Sequence, residues 1–314
     1  MTSPRAPTNV IAGNAIARAA LKPSTRGKRT LDQVPYITFP QLLDQFDAIL
    51  FDSDGVLVRW PAAIPHAPEA IAELNALGKP YFVLTNDASQ VAETRAARYA
   101  QLGLAIDPDK IISSGMLLKT WFEDHGLQGS RCVVLGTEDS AKYVRDAGGT
   151  VVPFHEDFDV LVVGDQDGFP FLDATRSVLT TLFRKLDRND TPRMVVPNPD
   201  LFYPEQDGFG FASGSVAGMF ESALALRYPH RPDLTFARLG KPHPAMFEEI
   251  FRRTPTRNLA MIGDTPSTDI RGANNVGITS VLVETGGGSV DLGSLPEGDV
   301  PDYVLESLED IGSG

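Results

Sequence analysis

The run AILFDSDGVLV, from Ala48 to Val58, ends an apolar stretch in two carboxylates one residue apart, Asp52 and Asp54, with Gly55 directly behind them. Similar chemistry follows two other apolar stretches and opens one helix-like segment. Thr85 and Asn86 come after PYFVL, Asp264 comes after NLAMIG, and Lys241 stands in GKPHPAMF at the start of a helix-like segment. If the apolar runs are strands of one parallel sheet, these residues sit just past the strand ends, where open α/β sheets bind ligands. Two acids, a hydroxyl-amide pair, a lysine and a third acid then line one crevice.

That set suits phosphoryl transfer. Clustered carboxylates repel one another, and desolvation raises the cost. A hard divalent cation such as Mg²⁺ removes the conflict, because it takes oxygen ligands and retains waters or phosphate oxygens. It also screens phosphate charge, so that an anionic carboxylate can approach phosphorus. Asp52 is then the expected nucleophile, forming an aspartyl-phosphate. A bend at Gly55 would bring Asp54 back over the site as general acid for the leaving oxygen and then base for water. The two pKa values must be pushed apart for that division of labour. Lys241 would stabilise the transferring group, and Thr85 and Asn86 would hydrogen-bond its oxygens.

The elements needed to hold these residues are legible as alternation. DAILF and PYFVL flank a helical spacing at Ala70, Ile71, Leu74 and Leu77 that Gly78 ends, and a second helical stretch runs from Gln90 to Leu102. RCVVLG (131–136), DVLVVG (159–164) and RMVVP (193–197) predict further strands, with helices at 141–147 and 173–186 between them. NLAMIG, a helix over 269–276 and TSVLV (279–283) resume the first pattern. The order predicts an α/β fold with parallel strands covered on both faces. The middle strands either continue the same sheet or form a second α/β unit. The GGG at 286–288 reads as a loop.

Composition excludes other classes. The chain has 314 residues, 42% hydrophobic, enough core for one large domain or two modest ones. A net charge of -13 argues against nucleic acid as partner, since phosphate backbones call for clustered Lys and Arg. No apolar stretch approaches the ~20 residues that span a membrane. The single cysteine, Cys132, rules out an intrachain disulfide, fits a cytoplasmic location, and reads as a core residue. The first thirty residues are Arg- and Lys-bearing with no acid before Asp32; they read as an extension with a short helix near Asn9 to Leu21 rather than a transit peptide.

DSDGVLV, LTNDAS, GKPHPAMF and GDTPSTDI, in this order, resemble the four motifs of the haloacid dehalogenase-like (HAD) hydrolase superfamily. NPDLFYP and SGSVAGMFESAL are similar to its class IIA branch, which holds NagD-like, phosphoglycolate and pyridoxal phosphate phosphatases. The likeness spans residues 46–311. It implies a Rossmann-like parallel-sheet core at 46–126 and 236–314, an inserted α/β cap domain at 127–235, and an N-terminal extension at 1–45 outside the common pattern. It implies Mg²⁺ held by Asp52, the Asp54 carbonyl and Asp264, with Asp269 supporting Lys241 or the metal's water shell. A substrate loop is implied between residues 198 and 208, with Asn198, Phe202, Tyr203 and Glu205 as contacts, and so is a homodimer through the cap. The chain departs from the branch in TND for Thr-Asn-Asn, where Asp87 is expected to cap the following helix, and in Arg59-Trp60 after DGVL.

The function expected is Mg²⁺-dependent hydrolysis of a small phosphorylated metabolite. A dehalogenase would not need Asp54. A phosphomutase, or a phosphoryl-binding regulatory protein that keeps the site, uses the same residues.

Overall fold

The computed structural model describes residues 34–205, 208–284 and 295–308. The helix expected near Asn9 to Leu21 and the loop at 286–288 lie outside them. Helix α1 (Phe39–Gln45) leads into strand β1 (Ala48–Asp52). A short hairpin of β2 (Val58–Arg59) and β3 (Ala62–Ala63) follows, then α2 (Ala67–Leu77), β4 (Tyr81–Thr85), α3 (Ala92–Gln101), β5 (Ile111–Ser113) and α4 (Leu117–His125). The middle of the chain forms β6 (Arg131–Leu135), α5 (Glu138–Asp146), β7 (Thr150–Val151), β8 (Val160–Val163), α6 (Phe171–Leu186) and β9 (Arg193–Val196). A hairpin of β10 (Phe202–Glu205) and β11 (Gly208–Phe211) precedes α7 (Ser213–Arg227) and β12 (Ala237–Arg238). The last part runs α8 (Ala245–Arg253), β13 (Leu259–Gly263), α9 (Arg271–Val276), β14 (Thr279–Val283) and β15 (Tyr303–Leu305).

The choice between one sheet and two falls to two. One has six strands in the order β15-β14-β13-β1-β4-β5, and the other five in the order β12-β9-β8-β6-β7. Every pairing in both is parallel. Parallel sheets are buried on both faces, which is why the strands read as unbroken apolar runs. In β1, Ala48 to Phe51 are all buried, and only Asp52 at the end is partly exposed. β12 belongs to the second sheet, so that sheet extends three residues past 235, the boundary the resemblance suggests.

The strand order places the site. β1 lies between β13 and β4, with Phe51 level with Ile262 and Val83. The residues following β1, β4 and β13 therefore emerge side by side at one sheet edge. The two sheets also share side-chain packing: one apolar cluster runs from Leu50 and Leu84 through Trp121 and Phe122 to Cys132, Val160 and Val195. Cys132 is fully buried there, and its thiol is pushed up to about 12 by burial.

One expected helix is corrected. Residues 269–276 are not one α-helix, because Pro266–Ile270 forms a wider π-helical turn before α9 begins at Arg271. The wide turn leaves the carboxylate of Asp269 facing back to the Thr265 N–H, at 3.1 Å. Such turns recur at functional sites.

Candidate active site

Asp52 ends β1, and the chain turns immediately after it. The N–H groups of Leu57 and Val58 both bond the Ser53 carbonyl, at 2.9 and 3.0 Å, and Gly55 N–H donates to the Val58 carbonyl at 2.8 Å. Gly55 has φ +88, and a Cβ there would lie 1.9 Å from Asp264 Oδ2. Glycine is required at this point both for the turn and for the approach of Asp264.

Lys241 is 2% exposed and lies between two acids, with Nζ 2.6 Å from Asp52 Oδ1 and 2.7 Å from Asp269 Oδ1. The Asp52 contact and one to the Leu84 carbonyl, at 3.0 Å, are hydrogen bonds, while Asp269 meets the ammonium as an ion pair. Burial by itself would lower this ammonium, but Asp269 and Asp52 hold it above its usual value. The carboxyls respond in the opposite sense. Burial and then Asp269 push Asp52 well up, and the same two causes raise Asp264 to about 7.

Asn86 holds the backbone of Lys241. Its Oδ1 accepts the Lys241 N–H at 2.7 Å, and its Nδ2 donates to the Lys241 carbonyl and to Asp200 Oδ1, each at 3.0 Å. The side-chain amide expected to meet phosphate oxygens is thus occupied by protein groups. Asn198 Oδ1 accepts the Asp200 N–H at 3.0 Å, so it reaches the site through Asp200 and Asn86.

Asp52, Asp264 and Asp269 each offer a carboxylate oxygen, all within 4.8 Å of one another. Oxygens facing each other across Mg²⁺ are about 4 Å apart, so a small side-chain movement closes the cluster on that ion. The charges agree, because three carboxylates against one ammonium leave the deficit a divalent cation fills. Asp269 has Lys241 on one oxygen and the Thr265 N–H on the other, so Asp52 and Asp264 are the acids freer to ligate. Asp54 stands outside this trio with its side chain exposed, yet the crowding protein raises its pKa; the charge it feels most is Arg95, then Asp87.

Phe202 and Tyr203 lie on the β10–β11 hairpin. Phe202 is 62% exposed, stacked edge-on to Phe209 at 5.7 Å, and Tyr203 is paired with Glu205, which helps push its hydroxyl up to about 12. They do not join the carboxylate cluster. Asp87 does not cap α3, whose first flanking residue is Val91. Its carboxylate instead accepts the Ser89 N–H at 2.7 Å and pairs with buried Arg95. Arg95, Tyr99 and Asp200 were not anticipated. Arg95 and Tyr99 are four apart on α3 and are its buried residues, a spacing that was readable as one helix face.

A lysine-paired aspartate beside an acidic cation site, at the carboxyl edge of a parallel sheet, defines a protein built to handle phosphoryl groups. Family models for haloacid dehalogenase-like hydrolases match residues 49–150 and 238–311. Chronophin of Mus musculus is 31% identical over 290 residues, covering 87% of this chain and 94% of that protein. The crystal structure of a possible sugar phosphatase of the HAD superfamily from Cytophaga hutchinsonii is 32% identical, with TM-score 0.74, covering 88% of this chain and 98% of that one. A glycerol phosphate phosphatase from Mycobacterium tuberculosis, solved in complex with magnesium, shares the fold at TM-score 0.71 and 24% identity, covering 85% of this chain and 76% of that one. The chain belongs to the haloacid dehalogenase-like hydrolases, in their class IIA branch, and is a phosphatase of that family. Among the described residues no helix is long and apolar enough to cross a membrane.

Proposed function

We propose that the protein hydrolyses a small-molecule phosphomonoester through an aspartyl-phosphate on Asp52, with Mg²⁺ as cofactor. The observation that carries this is the pairing of Lys241 with one oxygen of Asp52, at 2.6 Å from Oδ1. The other oxygen is left to attack phosphorus in line while the lysine holds the carboxylate in place. Asp54 gives its proton to the departing alkoxide, then takes one from the water that cleaves the acyl-phosphate. Burial raises both carboxyls; Arg95 and Asp87 are the leading charges at Asp54, Asp269 and Lys241 at Asp52, and a divalent cation bound to Asp52 would favour its ionised form while Asp54 keeps a proton. Thr85 donates to a phosphoryl oxygen. The Asn86 side chain places Lys241, and Asp269 keeps the ammonium charged.

Mg²⁺, held by Asp52, Asp264 and the Asp54 carbonyl, would neutralise phosphate charge during attack. The magnesium in the glycerol phosphate phosphatase of the same fold supports this choice of ion. In this reading residues 127–235, with β12, are a cap over a core formed by 46–126 and 236–314, and Asn198, Phe202 and Tyr203 lie where the cap returns to that core. Sugar and glycerol phosphates, named for the two structural relatives, are the substrates to test first. The exposed rings of Phe202, Phe209 and Phe211 support a homodimer through the cap, which light scattering tests.

The deciding experiment is inorganic phosphate release from a panel of phosphorylated metabolites, with Mg²⁺, with EDTA, and with Asp52→Asn. Loss of turnover in both controls supports the reading. Release that persists in Asp52→Asn overturns it.

A further inference from the structure

Asp87, a departure from the family pattern, has no part in the roles above. Thr85 is 2% exposed at the end of β4, and its Oγ1 accepts the Asp87 N–H at 3.2 Å. With that N–H on its oxygen, the hydroxyl turns its proton away from the loop. No acceptor among the described residues takes that proton. An acceptor-only phosphoryl oxygen requires such a donor.

The N–H that orients Thr85 belongs to a loop held on two sides. Asp87 accepts the Ser89 N–H and pairs with Arg95, which is 1% exposed. Arg95 is close enough to Tyr99 for its charge to act on that hydroxyl, which lies 2.6 Å from Ser53 Oγ, between the two aspartates of the first motif. From the second sheet's side, Thr137 Oγ1 donates to the Ser89 carbonyl at 2.7 Å, the Tyr143 hydroxyl donates to the Gln90 carbonyl at 2.8 Å, and Asp139 accepts the Val91 N–H at 2.9 Å. Arg95 is sealed from solvent and its charge is met by Asp87, so it is not itself a phosphate ligand. Its Nε meets no hydrogen-bond partner among the described residues, a cost that an apolar residue serving only to pack would avoid.

We propose that the Asp87–Arg95 pair is a positioning device, fixing the loop after β4 so that the Thr85 hydroxyl is locked as a donor to the transferring phosphoryl group. This rests on the reading that Thr85 contacts that group. The pair acts through Thr85, and a double-mutant cycle reads that dependence.

The test uses the full chain with Mg²⁺ and p-nitrophenyl phosphate as probe. Asp87→Asn/Arg95→Met removes both charges together and leaves neither unpaired. It should lower kcat about tenfold to a hundredfold with KM little changed, the scale of a misplaced catalytic contact. Thr85→Val should lower kcat comparably. Combining all three substitutions should cost no more than about twofold beyond Thr85→Val. Multiplying losses would overturn the proposal while leaving Thr85's own role standing, and so would an undiminished kcat in the pair variant. A Thr85→Val enzyme of full activity would overturn both. If thermal melting shows the pair variant unfolded, Arg95→Lys enters the same cycle. An ammonium keeps the charge but lacks the guanidinium's length and planar fork, so Asp87 loses its held geometry, and wild-type turnover there would overturn the proposal.

Discussion

Asn86 closes on the backbone of Lys241 from both ends, accepting its N–H at 2.7 Å and donating to its carbonyl at 3.0 Å. The two residues are 155 apart in sequence. The bracket determines where the Lys241 side chain begins its path toward Asp52. Asn86→Leu keeps the volume and removes all three bonds. Its kcat should fall about a hundredfold, because a small misplacement of a catalytic group has that effect. KM should change little if Asn86 acts on Lys241, whereas a direct phosphate contact would raise KM. Steady-state kinetics on p-nitrophenyl phosphate separate the two.

Lys241→Met tests the ion pairs on both sides of that ammonium. It leaves Asp269, fully buried, with no cation against it. Stranding one partner of a buried pair costs about 3–5 kcal/mol, while removing both is far milder. Urea denaturation should therefore show Lys241→Met strongly destabilised and Lys241→Met/Asp269→Asn close to wild type. Both should be inactive. A stable single variant would mean that the burial of Asp269 does not depend on the Lys241 ammonium.

The parts legible in the sequence were those whose cause is local. β1, β4 and β13 are buried on both faces, so AILFD, YFVLT and LAMIG appear as apolar runs, and Asp52, Thr85 and Asp264 are conspicuous as the polar residues that end or follow them. What was not legible depends on contacts between distant segments. Nothing near Asn86 announces that its amide is committed to Lys241 and Asp200. Arg95 looks like a solvated helix charge until Asp87 covers it. The strands at 131–196 have the same composition as those of the first sheet, and only their pairing separates them. The wide turn at Pro266–Ile270 reflects the demand for Asp269 beside Lys241, and helical periodicity does not carry that demand.

Gly55→Ala should weaken the cation site. The added Cβ would overlap Asp264 Oδ2 and face φ +88, so either the turn or the Asp264 carboxylate must shift. Displacing a ligand or its support typically costs ten- to hundredfold in metal affinity, so activity should need roughly tenfold more Mg²⁺. Gly78→Ala is the control for strain alone, since Gly78 has φ +63 with nothing within 4 Å of the added methyl. It should lose about 1 kcal/mol of stability with its Mg²⁺ requirement unchanged. Equal Mg²⁺ titration curves for the two variants would remove Asp264 from the site.

Asp165 should impose a pH dependence on stability that has nothing to do with catalysis. It is 4% exposed, and burial pushes its carboxyl up to about 6 from an ordinary 3.8. Below about pH 4 the carboxyl is protonated in both folded and unfolded chains, and no penalty exists. Between about pH 4 and 6 the unfolded chain releases the proton while the folded one keeps it, so stability falls as pH rises. Above that window the penalty is complete, at about 3 kcal/mol for a shift of this size. Asn keeps the oxygen that accepts the Asp167 N–H at 2.8 Å and cannot ionise. Asp165→Asn should raise the thermal midpoint at pH 8, raise it much less at pH 4.5, and flatten the slope between them. An equal shift at both pH values would mean that the gain comes from packing, not from the lost charge.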